Sequence, residues 1–300
     1  ADMLVSANKI YPAIKTSNNV DSIFEDDSYI DIVVIATPVS SHITLIKKSL
    51  KHGKHVLCEK IISKNEYELV EVYKTAKSKK LILKEGYTFL YNNAVKYIKE
   101  NIEMKVFGKI YYCTFKRAGL GPFRKDVDVL YDLAPHDLSM LIYWFGPPKW
   151  VSGTSCCIFN NNVADVVFFQ LGYSENMIVN VQVSWINPMK QRLVEIVGEK
   201  QMLIFDDVSV AEKIKIIKTG KDYNKYVSDF GSFQLSLKDG DIVIPNIHFF
   251  EPLKVEIEEF LKQIIYSDFD DKKLQLSLYI VQTLAAITHS INNEGKKVAL

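Results

Sequence analysis

The chain has 300 residues, 48% hydrophobic and 24% charged, with 37 Lys plus Arg against 36 Asp plus Glu and a formal charge of +1. That size suggests two domains with ordinary cores, and the balanced charge excludes a whole-protein field that would draw in nucleic acid or an anionic membrane surface. No apolar run approaches the roughly 18 residues of a membrane span, and no leader pattern opens the chain, so a cytoplasmic protein is expected. The first strong element is Ile30 to Ala36, a nearly continuous β-branched run of the kind buried on both faces of a parallel sheet, ending at Thr37-Pro38. Ser41 to His52 has helical apolar spacing and stops at Gly53, a glycine C-cap. Val56-Leu57-Cys58 is strand-like, Asn65 to Lys79 is helical, and Leu81-Ile82-Leu83 begins a third strand. Strands alternating with helices imply right-handed crossovers and a doubly wound parallel sheet.

After a helix over Asn92 to Ile102 the pattern changes. Lys109 to Lys116 alternates as a strand, Val127 to Phe145 is helical, and strand-like runs follow at 150–158, 163–171, 177–186, 192–197, 201–205 and 213–217. Short strands joined by polar turns predict a mostly antiparallel sheet. Residues 220–247 read as a long loop, and Pro252 to Tyr266 and Lys273 to Ile291 as closing helices. The expected fold class is thus an α/β doubly wound domain over 1–92, followed by an α+β domain over 93–300. Four cysteines, Cys58, Cys113, Cys156 and Cys157, lack C-x-x-C spacing and are read as reduced small hydrophobes.

Ligands of doubly wound sheets bind at the carboxyl ends of the strands, which puts Thr37, Pro38, Glu59, Lys60 and Tyr87 on the functional rim. Lys60 ends a buried strand at the crevice mouth, although a solvated lysine fits that position too. Asp132 and His136 are four apart, so a helical path sets them on one face, where His136 can act as a general base and Asp132 can orient it or bind a hydroxyl. A helix-start Asp with a structural His fits the same spacing. No further His, Cys or carboxylate stands at ligand spacing, so no metal is expected.

Four ordered segments resemble one family: Ile35-Ala36-Thr37-Pro38 with His42; Gly53 to Lys60; Gly86-Tyr87-Thr88-Phe89-Leu90-Tyr91-Asn92; and Asp132-Leu133-Ala134-Pro135-His136-Asp137. They are similar to the glucose-fructose oxidoreductase, inositol dehydrogenase and rhizopine catabolism (Gfo/Idh/MocA) family of NAD(P)-dependent sugar dehydrogenases, as are Trp185 to Gly198 and Glu251 to Lys254. The resemblance implies that Lys60 reaches substrate and nicotinamide, and that Asp132 and His136 contact the reacting hydroxyl. Hydride would pass from a sugar carbinol carbon to NAD or NADP, with His136 or Lys60 taking the proton. Thr37, Pro38, His42, Glu59, Lys60 and Tyr87 would line the cofactor side, and Tyr91, Asn92 and Trp185 the substrate side. Ile61 stands where the family has proline, and Tyr87 where a His is common. The open face of the second domain's sheet commonly forms subunit contacts in the family, so a homo-oligomer, a dimer or a tetramer, is expected.

Arginine usage bears on the substrate. Against thirty-four lysines the chain has three arginines, Arg117, Arg124 and Arg192, and the first two bracket Gly119-Leu120-Gly121-Pro122, just before the Asp132/His136 segment. Arginine binds phosphate or carboxylate bidentately where lysine cannot, so Arg117 and Arg124 are candidate substrate contacts, structural ion pairs being the alternative. Gly121-Pro122-Phe123-Arg124 running into Tyr131 to Leu141 resembles UDP-N-acetylglucosamine 3-dehydrogenases, which implies a nucleotide sugar.

The G-x-G-x-x-G fingerprint of dinucleotide folds does not occur in these 300 residues. Matching Ile30 to Ala36 to a later strand of the family puts Asp2 at the end of the second strand, as the ribose-reading acid that favours NAD, with a short third strand near Ile14-Lys15-Thr16. The expectation is an N-terminally incomplete nucleotide-binding domain. A non-catalytic relative acting as a binding or oligomeric scaffold is the alternative to an enzyme.

Overall fold

The computed structural model describes residues 2–25, 29–121, 123–124, 127–159, 163–218, 240–269 and 271–300. Two short helices, α1 (Asp2–Ile10) and α2 (Val20–Glu25), come first. The strand expected near residue 14 does not form. Ile14 closes a turn instead, its N–H donating to the Tyr11 carbonyl at 3.2 Å, and no strand precedes residue 32 among the described residues. Asp2 accordingly opens a helix rather than ending a strand.

The crossover pattern follows: β1 (Ile32–Ile35), α3 (Val39–Lys51), β2 (His55–Glu59), α4 (Glu66–Ser78) and β3 (Leu83–Gly86), forming a three-stranded parallel sheet in the order β1-β2-β3. Pro38, extended at φ −61° and ψ 146°, needs no N–H partner and lets α3 start at Val39, two residues before the apolar period implied. Gly53 ends the helix at φ +71°, a conformation that costs glycine little. Asn65 caps α4 by accepting the Tyr67 N–H at 2.9 Å.

Two long helices near the C-terminus, α7 (Pro252–Tyr266) and α8 (Asp271–Asn292), fold back over this sheet. Side chains alternate across β2, so Val56 and Cys58 pack on Ile46, Leu50, Leu69, Val72 and Val281 from α3, α4 and α8. Leu57 and Ile82 meet Phe260 of α7 on the other face.

Between these parts lie α5 (Asn93–Glu103), β4 (Ile110–Leu120), α6 (Val129–Phe145), β5 (Trp150–Cys156), β6 (Val166–Gly172), β7 (Ile178–Ser184), β8 (Ile186–Gly198), β9 (Gln201–Asp206), β10 (Ile214–Lys218) and β11 (Ile242–Val243). With the terminal β12 (Val298–Ala299) the strands build a nine-stranded sheet, β11-β10-β9-β8-β4-β7-β6-β5-β12. It is antiparallel throughout except for the parallel β4–β7 pair, and α5 and α6 bury its inner face around Phe115, Leu138 and Trp144. Most of the expected loop, its residues 220–239, lies outside the described residues.

The helix α8 is more apolar than an ordinary amphipathic surface helix. Its segment Lys272–Asn292 is long and apolar enough, by length and composition, to cross a membrane. The reason is that α8 serves two cores: Val281 packs under the parallel sheet, while Ile280, Leu284 and Ile287 enter the large one. A helix buried on several faces needs more apolar residues than an amphipathic one. Among the cysteines, Cys58 and Cys113 are the buried hydrophobes expected, but Cys156 and Cys157 are exposed where β5 runs into a turn.

Candidate active site

The parallel sheet delivers β1 and β2 side by side, so the segments leaving them face each other. Ala36, Thr37, Pro38 and Val39 after β1, with Glu59 at the end of β2 and Lys60 just after it, line one cavity of about 310 Å³ with Arg124. Pro38 and Val39 begin α3, whose first turn points its amide groups toward this mouth. Thr37 and Ser41 share a 2.6 Å hydroxyl contact that fixes the loop.

Lys60 reaches across to α6. Its ammonium donates to the Asp132 carbonyl oxygen and lies 3.8 Å from Asp132 Oδ1, with its side chain only 10% exposed. Pro135 lies within this part of α6 and gives no N–H to the Tyr131 carbonyl four residues back, next to the Asp132 carbonyl that Lys60 reaches. Burial pushes the Lys60 ammonium below the ordinary lysine range; Asp132 and Glu59 oppose this, and the Arg124 and Arg117 charges add to it.

Asp132 is the hub. Oδ1 accepts from Arg124 Nη1 at 3.2 Å and Oδ2 from the Trp185 indole N–H at 3.1 Å. Gly121 lies against that indole, where an added Cβ would come within 3.3 Å of Cδ1, so a side chain there would press on the ring. One turn on, His136 packs against the Phe89 ring at 5.3 Å, and its Nδ1 is buried with no hydrogen-bond partner. Burial first, then the charges of Lys60, Arg117 and Arg192, hold the imidazole pKa well below its usual value, so His136 is neutral at pH 7.

Arg117 does not open onto the cleft. Its Nε and Nη2 grip Asp137 in a buried pair with contacts of 3.0, 3.1 and 2.7 Å, and its guanidinium lies 4.4 Å from the Phe89 ring centre. It occupies the structural ion-pair alternative, while Arg124 keeps a third of its side chain exposed at the cavity. Phe89 and Asp137 went unmarked among the sequence candidates, although both stand inside the matched motifs.

Several other candidates turn away from Lys60. His42 is fully buried, its ring spanning the Ile61 and Thr37 carbonyl oxygens at 2.9 and 2.8 Å, so it ties the two rim loops together. Asn92 caps α5 through the Ala94 N–H at 2.8 Å. Tyr87 and Tyr91 line a separate cavity of about 470 Å³ at the free edge of β3, beside Glu85 and Ser277. The physical reason is the 3-10 turn at Thr88–Tyr91, which rotates successive side chains by about a third of a turn and sends Phe89, not its neighbours, to the Asp132/His136 side. Ile61, in the place of the family's proline, is fully buried and joined to Lys60 by a cis peptide. The side chain of Asp2 lies outside the described residues.

Comparison with known proteins fits this architecture. The family described as "Oxidoreductase family, NAD-binding Rossmann fold" matches residues 6–87, and "GFO/IDH/MocA C-terminal domain" matches residues 95–204, together well over half of the chain. An uncharacterized oxidoreductase of Schizosaccharomyces pombe is 31% identical over 155 residues, 49% of this chain and 42% of that protein. A UDP-N-acetylglucosamine 3-dehydrogenase of Acidithiobacillus ferrooxidans is 29% identical over 120 residues, 39% of this chain and 36% of the relative. The chain thus spans less than half the length of these curated relatives. In solved structures, a levoglucosan dehydrogenase complexed with NADH and levoglucosan superposes with TM-score 0.80 at 17% identity, over all of this chain and 87% of that one. The Acidithiobacillus ferrooxidans UDP-N-acetylglucosamine 3-dehydrogenase gives 0.77 at 19% identity, over 99% and 88%. The chain belongs to the Gfo/Idh/MocA oxidoreductase family, with its NAD-binding Rossmann domain followed by the family's C-terminal domain.

Proposed function

We propose that the site oxidises a sugar hydroxyl, with NAD as hydride acceptor, and that the sugar is carried on a nucleoside diphosphate. The observation that carries the reading is the meeting of Lys60, Asp132 and Arg124 at the strand-end cavity, next to a histidine held neutral. The donor set suits the nicotinamide end of NAD: the loop 36–39, Glu59 and Lys60 form a wall of main chain and short side chains between two strand ends. When bound, that cofactor supplies the carbon that accepts hydride.

The protein's own part is proton handling and orientation. His136 is neutral, so it can accept the hydroxyl proton as hydride leaves the carbinol carbon. Lys60, kept cationic beside Asp132, donates to the same oxygen and steadies the charge that develops on it. Asp132 has both oxygens engaged, which makes it the group that aims Lys60, Arg124 and Trp185 rather than the base. Arg124 is the one arginine at the cavity, and its exposed edge fits a diphosphate.

The test is oxidation of a panel of UDP-sugars followed by NADH absorbance, with cofactor binding titrated separately by NADH fluorescence. Lys60→Met should lower kcat/KM about 100- to 10,000-fold with the fold intact. Arg124→Ala should raise KM for the UDP-sugar about tenfold or more while sparing simple polyols, as expected for a lost charge-assisted contact. Equal loss on both substrate types removes the nucleotide-sugar reading. No cofactor binding and no oxidation at any sugar removes the enzyme reading.

The scaffold reading is favoured by one observation, the exposed Tyr112, Phe168 and Ile178 on the open face of the nine-stranded sheet. That face suits self-association, which sedimentation at two concentrations would measure, and a dimer or tetramer built on it is compatible with catalysis.

A further inference from the structure

Two of the four residues of β3 are charged yet buried, Lys84 and Glu85. Lys84 is accounted for by the helix above it, donating to the Glu256 carbonyl oxygen at 2.9 Å and lying 4.6 Å over the Tyr91 ring. Glu85 points the other way, and its two oxygens are both used. Oε1 accepts the backbone N–H of Ile62 at 2.7 Å, and Oε2 accepts the hydroxyl of Ser277 on α8. Ile62 is two residues beyond Lys60. The residue between them, Ile61, is pinned by its carbonyl oxygen to His42 and by a fully buried side chain. The turn that aims Lys60 is therefore held at consecutive residues, from α3 by a ring and from β3 by a carboxylate.

We propose that Glu85 is a positioning residue for Lys60: by accepting the Ile62 N–H while Ser277 fixes it from behind, it sets the turn that carries the lysine to Asp132. The proposal rests on the reading of Lys60 as a substrate-contacting group. An apolar side chain at position 85 would leave the Ile62 N–H buried without an acceptor, and the turn would have to move to find water. Lys60 sits at 10% exposure, with its ammonium 3.8 Å from Asp132 Oδ1 on α6.

The surroundings of Glu85 support a role beyond packing. It faces Cys58 on β2, Tyr73 on α4, Tyr87 beyond β3, Ser277 on α8 and the Lys60 charge. Burial raises its carboxyl to about 6, while the bonds from Ser277 and Ile62 and the Lys60 charge pull it down. At neutral pH the fold thus keeps an ionised carboxylate in a place that penalises it, next to a group aimed into a cleft, which is the signature of a functional residue more than of a packing one.

The test reads Lys60 itself and needs neither cofactor nor sugar. The chain and its variants are pulsed with a limiting amine-acetylating reagent from pH 6 to 11, and acetylation at Lys60 is quantified by peptide mass spectrometry beside the surface lysines Lys51 and Lys74. In the wild type burial holds the Lys60 midpoint below the ordinary lysine range. Glu85→Leu should move its midpoint upward, because the side chain escapes to water and burial no longer depresses it. Ser277→Ala should move it the same way by less, and Glu85→Gln, which keeps an acceptor for Ile62, should restore most of the wild-type behaviour. An unchanged Lys60 midpoint in a folded Glu85→Leu protein overturns the proposal; where that variant does not fold, an unchanged midpoint in Ser277→Ala overturns it. A Glu85-dependent midpoint in a chain that oxidises no sugar leaves the positioning intact and removes the enzymatic reading alone.

Discussion

The pair Arg117–Asp137 offers the sharpest energetic test of how the site is built. Its side chains are 7% and 3% exposed, three N–H···O contacts of 2.7 to 3.1 Å join them, and the guanidinium also covers Phe89. So little water reaches the pair that no screening discount applies. Asp137→Leu leaves the guanidinium buried without its counter-charge, which costs about 3–5 kcal/mol. For a domain of this size that lowers the melting temperature by about 6–20 °C. Arg117→Met with Asp137→Leu removes both charges and fills the space with apolar atoms, so the double variant should recover most of the loss. It also removes one of the three cations that depress His136, so the imidazole pKa, followed by proton NMR, should rise relative to the wild type. Urea denaturation of the two variants beside the wild type measures the stabilities. A loss under about 1 kcal/mol in Asp137→Leu, or a double variant as unstable as the single one, would refute the claim that this pair is dry and mutually dependent.

Glu85→Gln yields a prediction with a defined pH window. The carboxyl rises from the ordinary 4.5 to about 6 on folding, so the folded chain binds that proton more tightly than the unfolded one. Its contribution to stability is full below pH 4.5 and is lost as pH rises through 6, and the gap amounts to about 2 kcal/mol at pH 7. The glutamine variant escapes that loss, so it should be more stable than wild type at pH 7.5 and lose the advantage by pH 4.5, measured by urea titration at both values; an advantage that persists undiminished at pH 4.5 contradicts the assignment. Trp185→Phe removes the N–H that Asp132 Oδ2 accepts at 3.1 Å, and should lower kcat/KM about tenfold with the fold kept, a hydrogen bond to a charged group being worth about 1.5–3 kcal/mol. Leu50→Ala, at a fully buried position under the parallel sheet, should cost about 2–5 kcal/mol in urea while the large sheet's near-ultraviolet signal is retained until the main transition.

How far the sequence reads through to the structure depends on which physical scale sets each feature. The alternation of β1, α3, β2, α4 and β3 is written in local period and punctuation, and the elements stand within about two residues of expectation. Where ends moved, a specific bond moved them: Leu81, read as strand, gives its N–H to the Ala76 carbonyl at 2.9 Å, so β3 waits until Leu83. The strand β8 runs from Ile186 because β4 pairs with it as far as Leu120↔Ile186, although Asn187, Pro188 and Lys190 carry no strand pattern of their own. Site residues divide the same way. Lys60 and Asp132 lie 72 positions apart, and no local period connects them; a strand end marks the one and the spacing to His136 the other, and only the matched motifs join them. Tyr91 is marked in the sequence and Phe89 is not, because the direction of a side chain in a 3-10 turn depends on where that turn begins.

Glu85 carries the argument one step further. A charged residue in a short strand normally reads as the solvent side of an alternating pattern, and the run Leu81 to Gly86 allowed that reading. In the folded chain the strand is buried at every position, because α7 closes one face and α8 the other. The charge is then expensive, and the fold repays it only through the Ile62 N–H and the Ser277 hydroxyl. Those two bonds join the last long helix of the chain to the turn after Lys60. The position of a lysine at residue 60 is thereby fixed by a serine at residue 277, a dependence with no local trace in the sequence, and one that makes α8 part of the site as well as part of both cores.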